Sequence, residues 1–220
     1  FTGVEDHPET VGTLAGLGFD DPRHIAGAIR GWHHGRIRAT RSARARELLT
    51  RLVPILLDAL AATADPDAAF AQFDRFVSRL PAGVQLFSLF LANPHLLIQV
   101  ANICGSAPRL ADYLARSPRV LDALLDPGFL GGLPAREELD RLLQEQFAAA
   151  TDHEAALDAA RRFAKEQIFR VGVQIIEGTI TAEQAGPAFA NVAECVIAGL
   201  LEKSHDELAA SAGRVSGGAF

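Results

Sequence analysis

The 220-residue sequence contains no methionine, two cysteines, one tryptophan and one tyrosine. Cys104 and Cys195 stand too far apart for a C-x-x-C pair, so neither a disulfide framework nor a zinc site is indicated, and a reducing cytoplasm fits best. No stretch of about 18 apolar residues occurs. The best candidate breaks at Asn93-Pro94, so no membrane span is expected. A basic-then-apolar leader is also missing. A chain that begins at Phe1 and lacks methionine is expected to be a piece of a longer protein.

Charge of one sign is lacking as well. The formal net charge is −6, which argues against a general nucleic-acid binder, because neutralising phosphates needs an excess of Lys and Arg. The deficit is uneven. Between Arg23 and Arg51 there are eight arginines and a single acid, Glu47, so one end is basic and the rest acidic.

What the sequence does have is Ala and Leu. With 49% apolar and 22% charged residues, their excess over β-branched and aromatic types favours helix. The expected fold is all-α, an array of about eight to ten short-to-medium helices with no substantial sheet. A recurrent signal supports this: a short polar residue followed by proline, which caps free N–H groups and places proline where it loses no hydrogen bond. It occurs at Asp21-Pro22, Asp65-Pro66, Asn93-Pro94, Ser117-Pro118 and Asp126-Pro127, and as Ser106 with Pro108.

In chain order, residues 1–20 read as a glycine-rich lead-in with at most one short helix. Residues 21–126 read as a central helical region. Within it, Ile25, Ile29 and Trp32 mark a first helix face. A helix from Ser42 to Ala62 carries a leucine stripe, and Pro54 is expected to kink or divide it. Asp65 to Leu80 follows, with Phe70, Phe73, Phe76 and Val77 on one side, a spacing that reads as core.

A boundary is placed near the loop GFLGGLP, and 127–220 reads as a second helical segment. Pro134 to Ala150 forms one helix. Thr151 with Glu154 gives a capping box that opens the longest uninterrupted helix, with Leu157, Ala160, Ala164, Ile168, Val171 and Ile175 as its apolar face. A strand over the β-branched run from Ile168 to Ile176 is the weaker reading. Thr181 with Gln184 repeats the capping pattern for a last helix towards Ala210, although Pro187 falls within its first two turns. Gly213 to Phe220 reads as a glycine-rich exit ending on the first step of a strand.

Candidates for chemistry are few. Adjacent His33 and His34 diverge by about 100° on a helix and lack a partner for metal binding. Cys104 lies at a helix C-terminus, where the dipole disfavours a thiolate, and Cys195 reads as a packing residue. Asp65-Pro66-Asp67 matches D-x-D but sits at a helix start, where capping explains it. The informative surface feature is the cluster Arg36, Arg38, Arg41, Arg44 and Arg46, which is either a solvated face or the docking site of a protein or nucleotide partner. No aromatic interleaving supports nucleic acid. Nothing in these residues, read alone, sets out a catalytic site.

Four segments carry a resemblance: GWHHGRIRATRSARARELL, LPAGVQLFSLFLANPHLL, GSAPRLADYLARSPRVLDALLD and RRFAKEQIFRVGVQIIEG. Together they resemble, in order from about Phe19 to Phe220, the helical region of bacterial glutamine synthetase adenylyltransferase. The resemblance implies a parent with two nucleotidyltransferase halves. One half moves AMP from ATP, with magnesium, onto glutamine synthetase, and the other removes it by phosphorolysis, under control of glutamine and a PII-type signal protein. Gly217 to Phe220 resembles the run into the C-terminal transferase domain, so no catalytic residue and no cofactor is carried over to this chain. Two rival expectations stand beside it: a self-standing helical protein-interaction module, and a helical metal-dependent hydrolase.

Overall fold

The computed structural model describes residues 7–117 and 120–212. It is all-α, as expected, with eleven α-helices, two 3₁₀ turns and no strand among the described residues. The chain divides into two compact units, Phe1–Asp126 and Pro127–Phe220. The expected helix start at Pro118 and the exit from Gly213 to Phe220 lie outside the described residues.

In the first unit the helices are α1 (Pro8–Gly16), α2 (Pro22–His33), α3 (Ala43–Ala61), α4 (Pro66–Arg79), α5 (Val84–Ala92), α6 (Pro94–Ser106), α7 (Pro108–Arg116) and α8 (Val120–Leu124). Two starts follow the capping rule: Asp21 accepts from the His24 amide at 3.1 Å and Asp65 from the Ala68 amide at 2.9 Å. Asn93 does not cap α6. Its amide instead donates to the Leu89 carbonyl at 3.0 Å and closes α5. Ser106 is the last residue of α6, so Ala107 precedes Pro108 with no side-chain cap. Pro127 opens only a 3₁₀ turn, Pro127–Phe129. Pro54 does not divide α3, which stays helical through it.

The core of this unit is aromatic. Ile25, Ile29 and Trp32 of α2 are buried together with Phe70, Phe73 and Phe76 of α4 and Phe87 and Phe90 of α5. Trp32 stacks on Phe70 at 5.4 Å, and Phe73 meets Trp32, Phe76 and Phe90 at 5.9 to 6.4 Å.

The second unit holds α9 (Arg136–Ala148), α10 (His153–Ile176) and α11 (Ala182–Ala212). Three expectations change here. The cap of α10 is Asp152, which accepts from the Ala155 amide at 2.7 Å, three residues on as the N-cap geometry requires, whereas Thr151 lies one residue further from the free N–H groups. At 31 residues α11 is longer than α10, at 24, Pro187 notwithstanding. The buried face of α10 keeps Ala160 and Val171 of the expected stripe but is otherwise different: Ala156, Ala159 and Phe163 join Ala160 in the core with α9 and α11, while Ile168 and Ile175 are exposed. Small residues let these helices approach closely, a preference that counting large apolar side chains misses. At Thr181 the capping box forms as expected, the Thr181 amide donating to Gln184 Oε1 at 2.8 Å and the Gln184 amide to Thr181 Oγ1 at 3.4 Å.

Candidate functional site

The arginine cluster sits on the connection between α2 and α3. Gly35, at φ +74°, turns the chain out of α2, a conformation that costs glycine little. The Arg36 amide then donates to the Gly31 carbonyl at 2.9 Å, Arg38–Thr40 form a 3₁₀ turn, and Ser42 caps α3 through the Ala45 amide at 3.1 Å. This places Arg44 and Arg46 in the first turn of α3, next to the positive end of its dipole. Cations are unfavourable there unless something offsets them.

The structure supplies the offset for two of the five. Arg46, half-buried, donates to the carbonyls of Thr40 at 3.2 Å and Arg41 at 2.6 Å, so it staples the connection together. Arg44 pairs with Glu47 at 2.7 Å, an exposed contact of the kind that contributes little. Arg36, Arg38 and Arg41 are exposed and have no side-chain partner among the described residues. A cluster that looked uniform in sequence is therefore one structural arginine, Arg46, one in a weak surface pair, Arg44, and three with no side-chain partner among the described residues.

Arg36 also lines a groove of about 460 Å³ along α2 and α4, together with Arg23, His24, Trp32 and Asp74. The Trp32 indole N–H donates to Asp74 Oδ1 at 2.7 Å, fixing that carboxylate within the groove. Sequence reasoning missed Arg23, His24 and Asp74, because the pairing of Trp32 with Asp74 spans 42 positions and leaves no local pattern. The groove offers cationic donors to an acidic group.

The remaining candidates are absorbed by the fold. His33 is held below its ordinary value, chiefly by burial and further by the charges of His34 and Arg46, which keeps it neutral near pH 7. Burial pushes the Cys104 thiol up to about 12. Cys195 is also pushed up to about 12, first by burial and then by its hydrogen bond to Asp140, so neither thiol supplies a thiolate at neutral pH. In the D-x-D run, Asp65 caps α4, while Asp67 accepts from the amides of Asp20 at 2.8 Å and Asp21 at 3.0 Å. Both carboxylates are thus committed to backbone. Among the described residues no group of three His, Cys, Asp or Glu could hold a metal ion.

The described residues thus form an all-α segment in two units, the first of which carries an arginine-bearing connection between α2 and α3. More particularly, the chain belongs to the glutamate-ammonia ligase adenylyltransferase family, whose family model matches residues 97–217. A bifunctional glutamine synthetase adenylyltransferase/adenylyl-removing enzyme from Caulobacter vibrioides is 50% identical over 202 residues, covering 91% of this chain and 20% of the relative. Proteins of the same name from Rhizobium meliloti and Mesorhizobium japonicum are 45% and 47% identical, each covering 99% of this chain and 22% of the relative. The chain therefore spans about a fifth of the length of the curated relatives it matches.

Proposed function

We propose that these residues form a non-catalytic, regulatory and connecting part of a cytoplasmic enzyme that adenylylates glutamine synthetase and removes the adenylyl group. The observation that carries this reading is identity of 45–50% along nearly the whole chain to relatives named for both activities. On this reading 21–126 links the two transferase halves and 127–220 precedes the C-terminal one. ATP and magnesium act elsewhere in the parent. The described residues offer no cluster suited to magnesium, so no step of AMP transfer is assigned to them.

The unpaired side chains of Arg36, Arg38 and Arg41 favour a partner-binding role for this face of the first unit. Arg46, bonded to the Thr40 and Arg41 carbonyls, contributes mainly by holding it in shape, and Arg44 adds its charge beside Glu47. The partner is a protein with an acidic surface, either glutamine synthetase or a PII-type signal protein, and neither nucleic acid nor a membrane is involved.

Two measurements test this. The purified chain, given glutamine synthetase, ATP and magnesium, should show no adenylylation or deadenylylation, and measurable turnover refutes the non-catalytic reading. Titration of glutamine synthetase and of a PII-type protein, with and without glutamine, against wild type and the Arg38→Glu/Arg41→Glu double variant tests the arginine face. Reversing two charges should weaken binding of one partner by tenfold or more, and unchanged affinity for both removes the face from the proposal.

A further inference from the structure

The second unit has two helix grooves, of which one is filled. Helices α10 and α11 form a hairpin across the turn 177–181. On one side, Leu139, Leu143 and Phe147 of α9 pack on Ala156, Ala159, Ala160 and Phe163 of α10 and on Val192 and Cys195 of α11. The other groove, about 490 Å³, is lined by Ala164 and Ile168 of α10 and by Phe189, Ala193, Val196 and Ile197 of α11, with no charged side chain in its lining. Ile168 is 44% exposed and Ile197 66%, and Leu201, one turn further along α11, is 70% exposed. Scattered apolar residues on a surface are ordinary, but a contiguous apolar groove continued by a helical stripe marks an interaction site.

We infer that this groove seats an amphipathic helix from the part of the same polypeptide outside residues 1–220, which would complete a four-helix arrangement on α9, α10 and α11. This rests on the reading that the chain is a segment of a longer family member. Two arguments select this occupant over a second copy of the chain. The groove runs along α11 from Phe189 to Ile197, roughly 12 Å at about 1.5 Å per residue. A stable dimer needs about 800 Å² and 20–30 residues from each partner, far more than this groove supplies. A tethered helix does not meet the full cost of association, because its effective concentration is on the order of millimolar. Such tethered chain is abundant, since these residues cover only 20–22% of the relatives' length. The occupant should present apolar side chains at i, i+3 or i+4 and i+7, as helices that lie in grooves do.

A lipid surface is the other class that an apolar helix face suits. By length and composition the part of α11 from Ala182 to Ala209 could cross a bilayer, but Glu194, Glu202, Lys203, Asp206 and Glu207 stud it.

The test compares the 220-residue chain with the full-length protein, each carrying Ile197→Cys, by maleimide labelling resolved at that site by peptide mass spectrometry. Labelling at residue 197 should be at least tenfold slower in the full-length protein. A photo-crosslinking benzoylphenylalanine at position 197 of the full-length protein should join to one helix outside residues 1–220 within the same molecule. Equal labelling rates, crosslinks between two copies, or flotation with phosphatidylcholine vesicles that Ile197→Asp abolishes would each overturn the proposal. Adenylyl-transfer activity of the same full-length sample is measured separately. Its absence counts against the family function and leaves the readout at residue 197 intact.

Discussion

The two units bury different kinds of core. Residues before Asp126 close around six large aromatic side chains, Trp32, Phe70, Phe73, Phe76, Phe87 and Phe90, each under 2% exposed. Residues after it pack three helices through Ala156, Ala159, Ala160 and Cys195, around Phe147 and Phe163. Of the eight large apolar residues left exposed among the described residues, five lie in the shorter second unit: Ile168, Ile175, Ile197, Leu201 and Leu208. An aromatic cluster fills space from several helices at once and closes a bundle. A small-residue seam brings helices near each other but covers only part of each, leaving branched side chains such as Ile168 and Ile197 exposed.

Truncation of the aromatic cluster should break the first half of that comparison with the largest effect. Phe73 is fully buried and touches Trp32, Phe76 and Phe90. Phe73→Ala should cost about 3–5 kcal/mol in urea unfolding, the transfer loss plus a cavity that three rings cannot collapse into. A loss under about 1 kcal/mol would mean that the cluster does not close this unit.

The second unit depends in part on polar work that its apolar seam does not do. The loop 128–132, near which the boundary is placed, is strapped to α10. Gln174 Nε2 donates to the carbonyls of Phe129 at 2.9 Å and Gly132 at 3.0 Å, and Arg170 donates to those of Gly128, Phe129 and Gly132 at 2.9 to 3.1 Å. Gln174 is fully buried. Gln174→Leu keeps the volume but removes a buried donor from two carbonyls, so it should cost about 1–3 kcal/mol, measured by the same unfolding. An unchanged midpoint would show that Arg170 alone holds the loop.

These contrasts explain what could be read from sequence. The all-α class, the helix starts at Asp21-Pro22 and Asp65-Pro66 and the inward faces of α2, α3 and α4 follow from periodicity and capping, because one dominant apolar stripe and an Asp-Pro pair leave a single solution. The described residues form eleven helices where eight to ten are expected. The register of α10 follows only in part: Ala160 and Val171 are buried as expected, but Ala159, Phe163 and Phe169 take the inward places expected of Ile168 and Ile175, because apolar residues occur on more than one face of this helix. The strap needed two polar residues four apart on α10 to be matched with a loop some 40 positions away. At the arginine face the sequence named the residues, but only the carbonyls around Arg46 and the carboxylate of Glu47 distinguish the engaged from the unpaired ones.

A smaller effect with a defined sign comes from Glu166 on α10. Burial raises its carboxyl above the ordinary range, while the Arg162 charge and a hydrogen bond from Gln146 pull the other way. With the folded value raised, its contribution to stability is fully present below the ordinary carboxylate range and is lost as pH rises through the raised value. Glu166→Gln should therefore match wild type below about pH 4 and be modestly more stable at neutral pH. A variant less stable at pH 7 would mean that the charge is compensated within the seam after all.

The smallest expected effect is the sharpest test of the difference between the units. Ile29 and Ile197 are the same side chain on two helices, one fully buried and the other 66% exposed. Ile197 is therefore a position at which an aspartate meets water rather than a core. Placing it at Ile197 removes little buried surface in this chain, so Ile197→Asp should change unfolding free energy by less than about 0.5 kcal/mol. If Ile197→Asp cost as much as a core substitution in the 220-residue chain, the groove between α10 and α11 would already be closed by these residues, and the second unit would be as self-sufficient as the first.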